Sequence, residues 1–269
     1  MMTLQISRLT YYPLKSAQGI SVETATLQAR GLEHDRRWML VDAQGDFLTQ
    51  RTHPQLAQLQ VRVVESGLQI AGPEGHNILA QLRENEWVPV TVWGDRLQAA
   101  ACSVDVDQWL SNFLGEACRL VYMPDAVMRE VDPDYRSGKG DIVSFADGFP
   151  VLIVTEASLK MLNRSLEHRV PMNRFRPNIV ISGSGAFAED TWQAIETDTV
   201  KLNLVKPCSR CQITTIDQVT GQRPDRHEPL KTLKQLHAWQ GQIFFGQNAI
   251  PVKTGKIAVG DPVQAIFKT

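Results

Sequence analysis

An excess of charge of either sign is missing from this sequence: 28 Lys and Arg face 29 Asp and Glu, a formal net charge of −1. Without a basic surplus no global field draws the chain to nucleic acid or to an acidic membrane. Long apolar runs are missing too. The longest, such as VLIVT at 151–155, reach about five residues, far below the ~20 needed to cross a bilayer. The opening MMTLQISRLTYYPLKS has no basic stretch followed by an apolar one, so a signal peptide is not expected and the expected compartment is the cytoplasm. Four cysteines in 269 residues, with no secretion signal, do not amount to a disulfide framework. Repeats, heptads and low-complexity tracts are absent as well, which excludes solenoids and coiled coils.

What is present is an ordinary globular composition, 43% hydrophobic and 21% charged, in short segments cut by turn signals. WMLVDAQGDFLTQR (38–51) alternates faces around AQGD and reads as a hairpin; LAQLQVRVVESGLQIAG (56–72) and VPVTVWGDRLQAA (88–100) are also strand-like. Three helices are expected. Ser103–Leu114 has a Ser cap, early Asp residues and an apolar stripe, Glu156–Leu166 follows the strand VLIVT, and Leu230–Trp239 starts after Pro229. PDAVMREVDPDYRSGKGDIVSFADG (124–148) is polar and Gly- and Asp-rich, and its early part reads as a linker or mobile loop. A boundary near 122 divides the chain into units 1–122 and 123–269 of a strand-rich α+β protein with a few covering helices. Trp38, Trp192 and Trp239 are read as core residues.

The close pair Cys208-Ser-Arg-Cys211 leaves several readings open. A structural zinc site wants two such pairs, and Cys102 and Cys118, sixteen apart in apolar settings, make a poor second one. A thioredoxin-like thiol wants CxxC at a helix start, whereas QITTID follows here and reads as a strand. Both cysteines could be buried small residues. The remaining reading is a single thiolate on a soft metal, favoured by the flanking charges of Lys206 and Arg210. On an alternating strand Asp217 would share a face with Cys211; equally, it could initiate the turn QVTG.

KPCSRCQITTID with TG, EPLKTL, FGQN and VGDPV, preceded by YYPLKSAQGI, GLEHDRRWMLVD, GDFLTQRTHPQLA, SFADGFPVLIVTEASL and FRPNIVISG, resembles the MOSC family in order along nearly the whole chain. The resemblance is to amidoxime-reducing members and their bacterial counterparts. It implies an N-terminal MOSC-associated β-barrel-like domain followed by a MOSC β-barrel domain. It also implies a molybdenum cofactor (Mo-molybdopterin) and reduction of N-hydroxylated compounds. A separate electron-donor protein of ferredoxin or flavoprotein-reductase type is implied too. Cys211 is then the metal ligand and Cys208 a neighbour. Lys15 and Ser16 would meet the cofactor phosphate, Arg36 and Arg176 would add cations suited to an anion site, and Asn178 would bond the pterin edge. Asp147 in the SFADG loop, Ser209 and Arg210 in the CxRC motif, and Asn248 in FGQN would also contact it, and Asp217 would act at the substrate end. The competing expectation is a cofactor carrier or sulfur-transfer module without reductase activity. Either way, the site is expected between the two halves of the chain.

Overall fold

Residues 3–136, 138 and 140–268 are described by the computed structural model. Period-two segments build four sheets, and the largest has nine strands. From one edge it runs Gln264–Phe267, Trp192–Glu196, Lys201–Ser209, Gln242–Lys253, Val151–Thr155, Ile179–Ser182, Gln5–Tyr11 and Ile20–Val22, with Ala238–Trp239 paired onto Gln242–Lys253. Among the described residues this order does not close on itself, so the architecture is strand-rich α+β with an open ladder. Strands from the two ends of the chain share this sheet: Gln5–Tyr11 lies antiparallel to Ile179–Ser182. Gly255–Ala258 likewise pairs with Thr24–Gln28.

One pair is parallel. Val151–Thr155 and Ile179–Ser182 run side by side, joined by a crossover that holds helix α2, Glu156–Ser165. A parallel pair needs such a connection. Thr155 caps this helix, accepting from the Ser158 amide, as β-branched hydroxyls do at N-termini. On one sheet face Val154 and Val180 lie in a cluster with Leu162, Phe175 and Phe245. Two residues back, Leu152 on its strand and Asn178 just before the other open into a cavity. The apolar cluster is thus the floor on which the site rests.

A second sheet orders Trp38–Val41, Arg119–Tyr122, Asp95–Cys102 and Leu82–Val92. The expected hairpin at 38–51 forms, with Val41 bridged to Phe47. Its turn docks on the neighbouring strand through the Thr91 amide donating to Gly45 O at 2.9 Å. Gly45 has φ +87° and a Cβ there would stand 2.4 Å from Pro89 O, so only glycine fits.

Helix α1 is Val104–Leu114, closed by Gly115 in the left-handed conformation, and α3 is Leu230–Leu236. The third expected helix stops short. Ala238–Trp239 instead pairs with Gln242–Ile243 across a turn in which Gln240 and Gly241 both have positive φ, the geometry of a tight hairpin. Trp239, expected in the core, is 39% exposed and stacks on Phe244 at 4.0 Å; Trp38 and Trp192 are buried. The segment read as a linker also differs. Val131 N donates to Asp141 O and Val143 N to Arg129 O, while Val131 and Val143 pack with Ile250. Two valines with an apolar seat hold the loop down despite its polar composition. No helix among the described residues is long and apolar enough to cross a membrane.

Candidate active site

A cavity of about 540 Å³ opens where the loop after Gln5–Tyr11, the 145–149 loop, the FRPN turn and the CxRC segment meet. Lys15, Ser16, Arg36, Asp147, Arg176, Asn178, Ser209, Arg210, Cys211 and Asn248 all line it. Residues scattered from 15 to 248 therefore converge on one wall. Seven cations face it (Lys15, Arg36, Arg51, Arg174, Arg176, Lys206 and Arg210) against one carboxylate, Asp147. The net charge of −1 hides a strongly cationic interior.

At one end is an anion-receptive corner. The Lys15 ammonium, buried, donates to Phe145 O at 2.8 Å and to Asp147 Oδ1 at 2.6 Å. Arg51 reaches the other oxygen of Asp147 at 3.5 Å. Burial pulls the Lys15 pKa below its ordinary value, against the opposing pull of Asp147. Burial likewise works against ionising Asp147, but Lys15, Arg51 and Arg36 outweigh it and hold that carboxyl well below the usual range. Beneath them Gln50 is fully buried and exchanges two amide hydrogen bonds with Gln218, at 3.0 and 2.9 Å. Gln50 also donates to Ser16 O at 2.6 Å. This pair ties the early loop to the CxRC side of the chain.

The middle of the wall is a closed polar web. Asp35, buried, pairs with Arg36 at 2.5 Å and accepts from the Tyr12 amide and the Asn178 side chain. Arg36 and Arg176 both hold left-handed backbone, and their guanidiniums lie 4.2 and 4.3 Å from the Tyr12 ring centroid. Burial, eased by Tyr12, brings the Arg176 pKa down to about 10, so it stays charged at neutral pH. Asn178, expected to bond a pterin edge in both directions, spends its capacity inside the wall. Its oxygen accepts from Arg36 and the Leu152 amide, and its nitrogen donates to Thr10 O and Asp35. Its place is structural: it braces Arg36.

The other end carries the thiols. Lys201–Ser209 breaks register with its neighbour three times, twice between Leu204 and Ser209. Such bulges re-aim side chains and tolerate a proline such as Pro207. Arg210 then spends three donors on Phe245 O and Phe175 O at 2.7–3.0 Å, which fixes the turn holding both cysteines. Cys211 is free and partly buried. Cys208, also free, has its pKa raised by burial against Arg210 and a hydrogen bond from Asn248.

The strand expected after Cys211 is a 3-10 turn, Gln212–Thr215, so the shared-face argument for Asp217 does not hold. Its carboxylate accepts from the Val219 and Thr220 amides at 3.0 Å and pairs with Arg174 at 3.0 Å. Asp217 does not line the cavity; it initiates the turn, as aspartates do. Burial works to raise its pKa, but the two amides and Arg174 together outweigh it and hold the carboxyl below its ordinary value.

Arg51, Arg174 and Trp93 line the cavity without having been singled out from sequence. Arg51 ends the TQR triplet, and Arg174 stands two residues before Arg176. Arg129 was missed too. Buried, it donates to Ser144, Ala146 and Asp147 carbonyls, clamping the loop that presents Asp147. No spacing rule marks an arginine whose partners are backbone carbonyls.

Comparison with known proteins shows the family. Residues 3–117 match the MOSC N-terminal beta barrel domain and residues 140–264 the MOSC domain. Mitochondrial amidoxime-reducing component 1 of Mus musculus is 36% identical over 96% of this chain and 81% of its own length. Component 2 of Bos taurus is 34% identical over 96% and 82%. Component 1 of Homo sapiens is 33% identical over the same shares. The chain therefore belongs to the MOSC family.

Proposed function

We propose that the cavity holds a molybdenum–pterin cofactor with the Cys211 thiolate on the metal. With it the chain reduces N-hydroxylated compounds, using electrons from a separate protein of ferredoxin or flavoprotein-reductase type. The observation that carries this reading is a pair of free thiols, Cys208 and Cys211, in a cavity that sets seven cations against a single carboxylate. Among the described residues no three His, Cys, Asp or Glu side chains converge. A single soft thiolate suits a metal that brings its other sulfur ligands with it. The volume is that of a small-molecule site. Arg174 Nε is buried at this wall without a partner. Such an orphan costs roughly 1–3 kcal/mol, which a ligand acceptor would offset. The relatives' names, amidoxime-reducing components, supply the substrate class.

When bound, the cofactor would supply a two-electron metal couple that takes the oxygen from the N–OH bond, the substrate leaving as the reduced nitrogen compound with water after two protons and two electrons. The chain's own residues bind, orient and exclude. Lys15, Ser16 and Arg51 would hold a terminal phosphate, Lys15 as a point charge and Arg51 as a planar fork. Arg36 and Arg176, fixed on Tyr12, would face the pterin. Arg210 sets the thiol's position before any ligand arrives, through the Phe175 and Phe245 carbonyls. Ile213 and Thr214 wall the metal end.

The test uses full-length chain from a host that makes the cofactor, with benzamidoxime as substrate and reduced methyl viologen as donor. Wild-type protein is expected to form benzamidine, and Cys211→Ala to form none. Wild-type protein that carries molybdenum yet leaves benzamidoxime untouched would contradict the reductase reading and favour a carrier.

A further inference from the structure

The anion-receptive corner is closed on its outer side by two aromatic rings. Phe47 and Trp93 lie 5.2 Å apart. Lys15 Nζ stands 5.3 Å from the Phe47 centroid, and the Arg51 guanidinium 4.8 Å from that of Trp93. Both cations also hold Asp147, at 2.6 and 3.5 Å. Carboxylate, two cations and two rings thus form a closed cycle of contacts.

Trp93 is an odd residue for its position. With Gly94 it makes the two-residue loop between Leu82–Val92 and Asp95–Cys102, where Val92 pairs with Asp95. Its φ is +57°. Such loops favour Asn-Gly, because asparagine tolerates left-handed backbone and a bulky ring does not. Burial does not compensate, since Trp93 is 48% exposed. Its ring contacts are Phe47 and Arg51. Backbone strain kept at a cavity rim, without packing to justify it, points to use.

We propose that Trp93, backed by Phe47, is a positioning residue. It holds the Arg51 guanidinium against the corner, so that Arg51 and Lys15 can receive a phosphate monoester in place of the Asp147 carboxylate. Asp147 is a stand-in anion: its side chain is 58% exposed and free to swing out. A phosphate presents up to twice its charge and three acceptor oxygens, so it wins the two cations. The left-handed turn is retained at a cost in fold stability because the ring pre-orders Arg51. Only the identity of the ester rests on the cofactor reading above, and the test uses inorganic phosphate alone.

The experiment is thermal unfolding of cofactor-free full-length chain in sodium phosphate and in sodium chloride of equal ionic strength. Wild-type protein is expected to melt higher in phosphate, by ligand linkage. Trp93→Asn should melt about 2–4 °C higher than wild type in chloride, the scale of a relieved turn in a chain of this size. It should also lose more than half of the phosphate-specific shift. Trp93→Phe keeps a ring on Arg51 and the strained backbone, so it should follow wild type in both salts. Arg51→Ala should show no phosphate-specific shift. A Trp93→Asn variant that keeps the whole shift, or melts lower than wild type in chloride, overturns the proposal. So does a wild type without any shift. The cofactor reading stands or falls separately, on the molybdenum content of the loaded protein.

Discussion

The two ends of the cavity are built differently. At the anion-receptive corner charges meet charges: Lys15 and Arg51 hold Asp147, the rings of Phe47 and Trp93 back both cations, and Arg129 clamps the loop beneath. At the thiol end the fixed parts are backbone. Arg210 grips two carbonyls, bulges re-aim the strand, and the Cys211 thiol is left free. On the proposed reading, the corner would receive a large anion and is kept charged, filled meanwhile by an internal carboxylate. The other end would offer one reactive atom, and its backbone is fixed around that atom. Binding and reactivity would then be divided along the cavity, and substitutions at the two ends should separate them.

The largest separation is expected at Lys15. Lys15→Met removes the buried ammonium and should lower the cofactor content of purified protein about tenfold, the equivalent of roughly 1.4 kcal/mol. It leaves the Cys211 end intact. The fold itself should change less than the cofactor content, because the burial cost of the ammonium is removed together with its bonds. Pterin fluorescence after oxidation and a denaturant titration read the two quantities. Equal loss of stability and cofactor would mean that the corner is scaffold only.

A smaller effect is expected at Asp217, where the turn and the chemistry can be told apart. Asp217→Ala removes the turn acceptor and the partner of Arg174, and should cost about 1–2 kcal/mol of stability. The pH profile of kcat should be unmoved. A displaced limb in that profile would restore Asp217 to the reacting centre.

The smallest effect lies outside the cavity and serves as its control. His237 faces acceptors at both ring nitrogens, Phe244 O at 3.0 Å and Asp190 at 2.6 Å, so the protonated ring can donate to both. Burial works against that charge, but Asp190 and Phe244 outweigh it and raise the pKa above 6.5. The folded ring therefore holds its proton more tightly than the unfolded one. Its contribution is complete below about pH 6.5 and fades as the pH climbs through the folded-state value. The stability gap between wild type and His237→Gln should narrow from pH 6 to pH 9, with phosphate binding unaffected. A gap that widens would reverse the assignment.

The sequence was most informative where several motifs could agree. Lys15, Ser16, Arg36, Arg176, Asn178 and Cys211 belong to separate stretches, and all line one cavity. The helix α1 stripe, the hairpin at 38–51 and the strand character of 88–100 were also legible, because alternation and turn residues report local geometry. What was hidden depends on contacts with distant backbone. Arg129 and Arg210 look like solvated charges until their carbonyl partners are known. Trp93 reads as an ordinary strand-end aromatic until its φ is seen. The 3-10 turn at Gln212–Thr215 uses β-branched residues that propensity assigns to a strand, and tertiary packing overrides that preference.

The most direct measurement is the molybdenum-to-chain ratio of three proteins purified from a cofactor-competent host: wild type, Cys208→Ala and Cys211→Ala. Wild type and Cys208→Ala are expected near one metal per chain, and Cys211→Ala below a tenth of that. Retention of metal by Cys211→Ala, or its loss from Cys208→Ala alone, would contradict the assignment of the unengaged thiol as the metal's ligand.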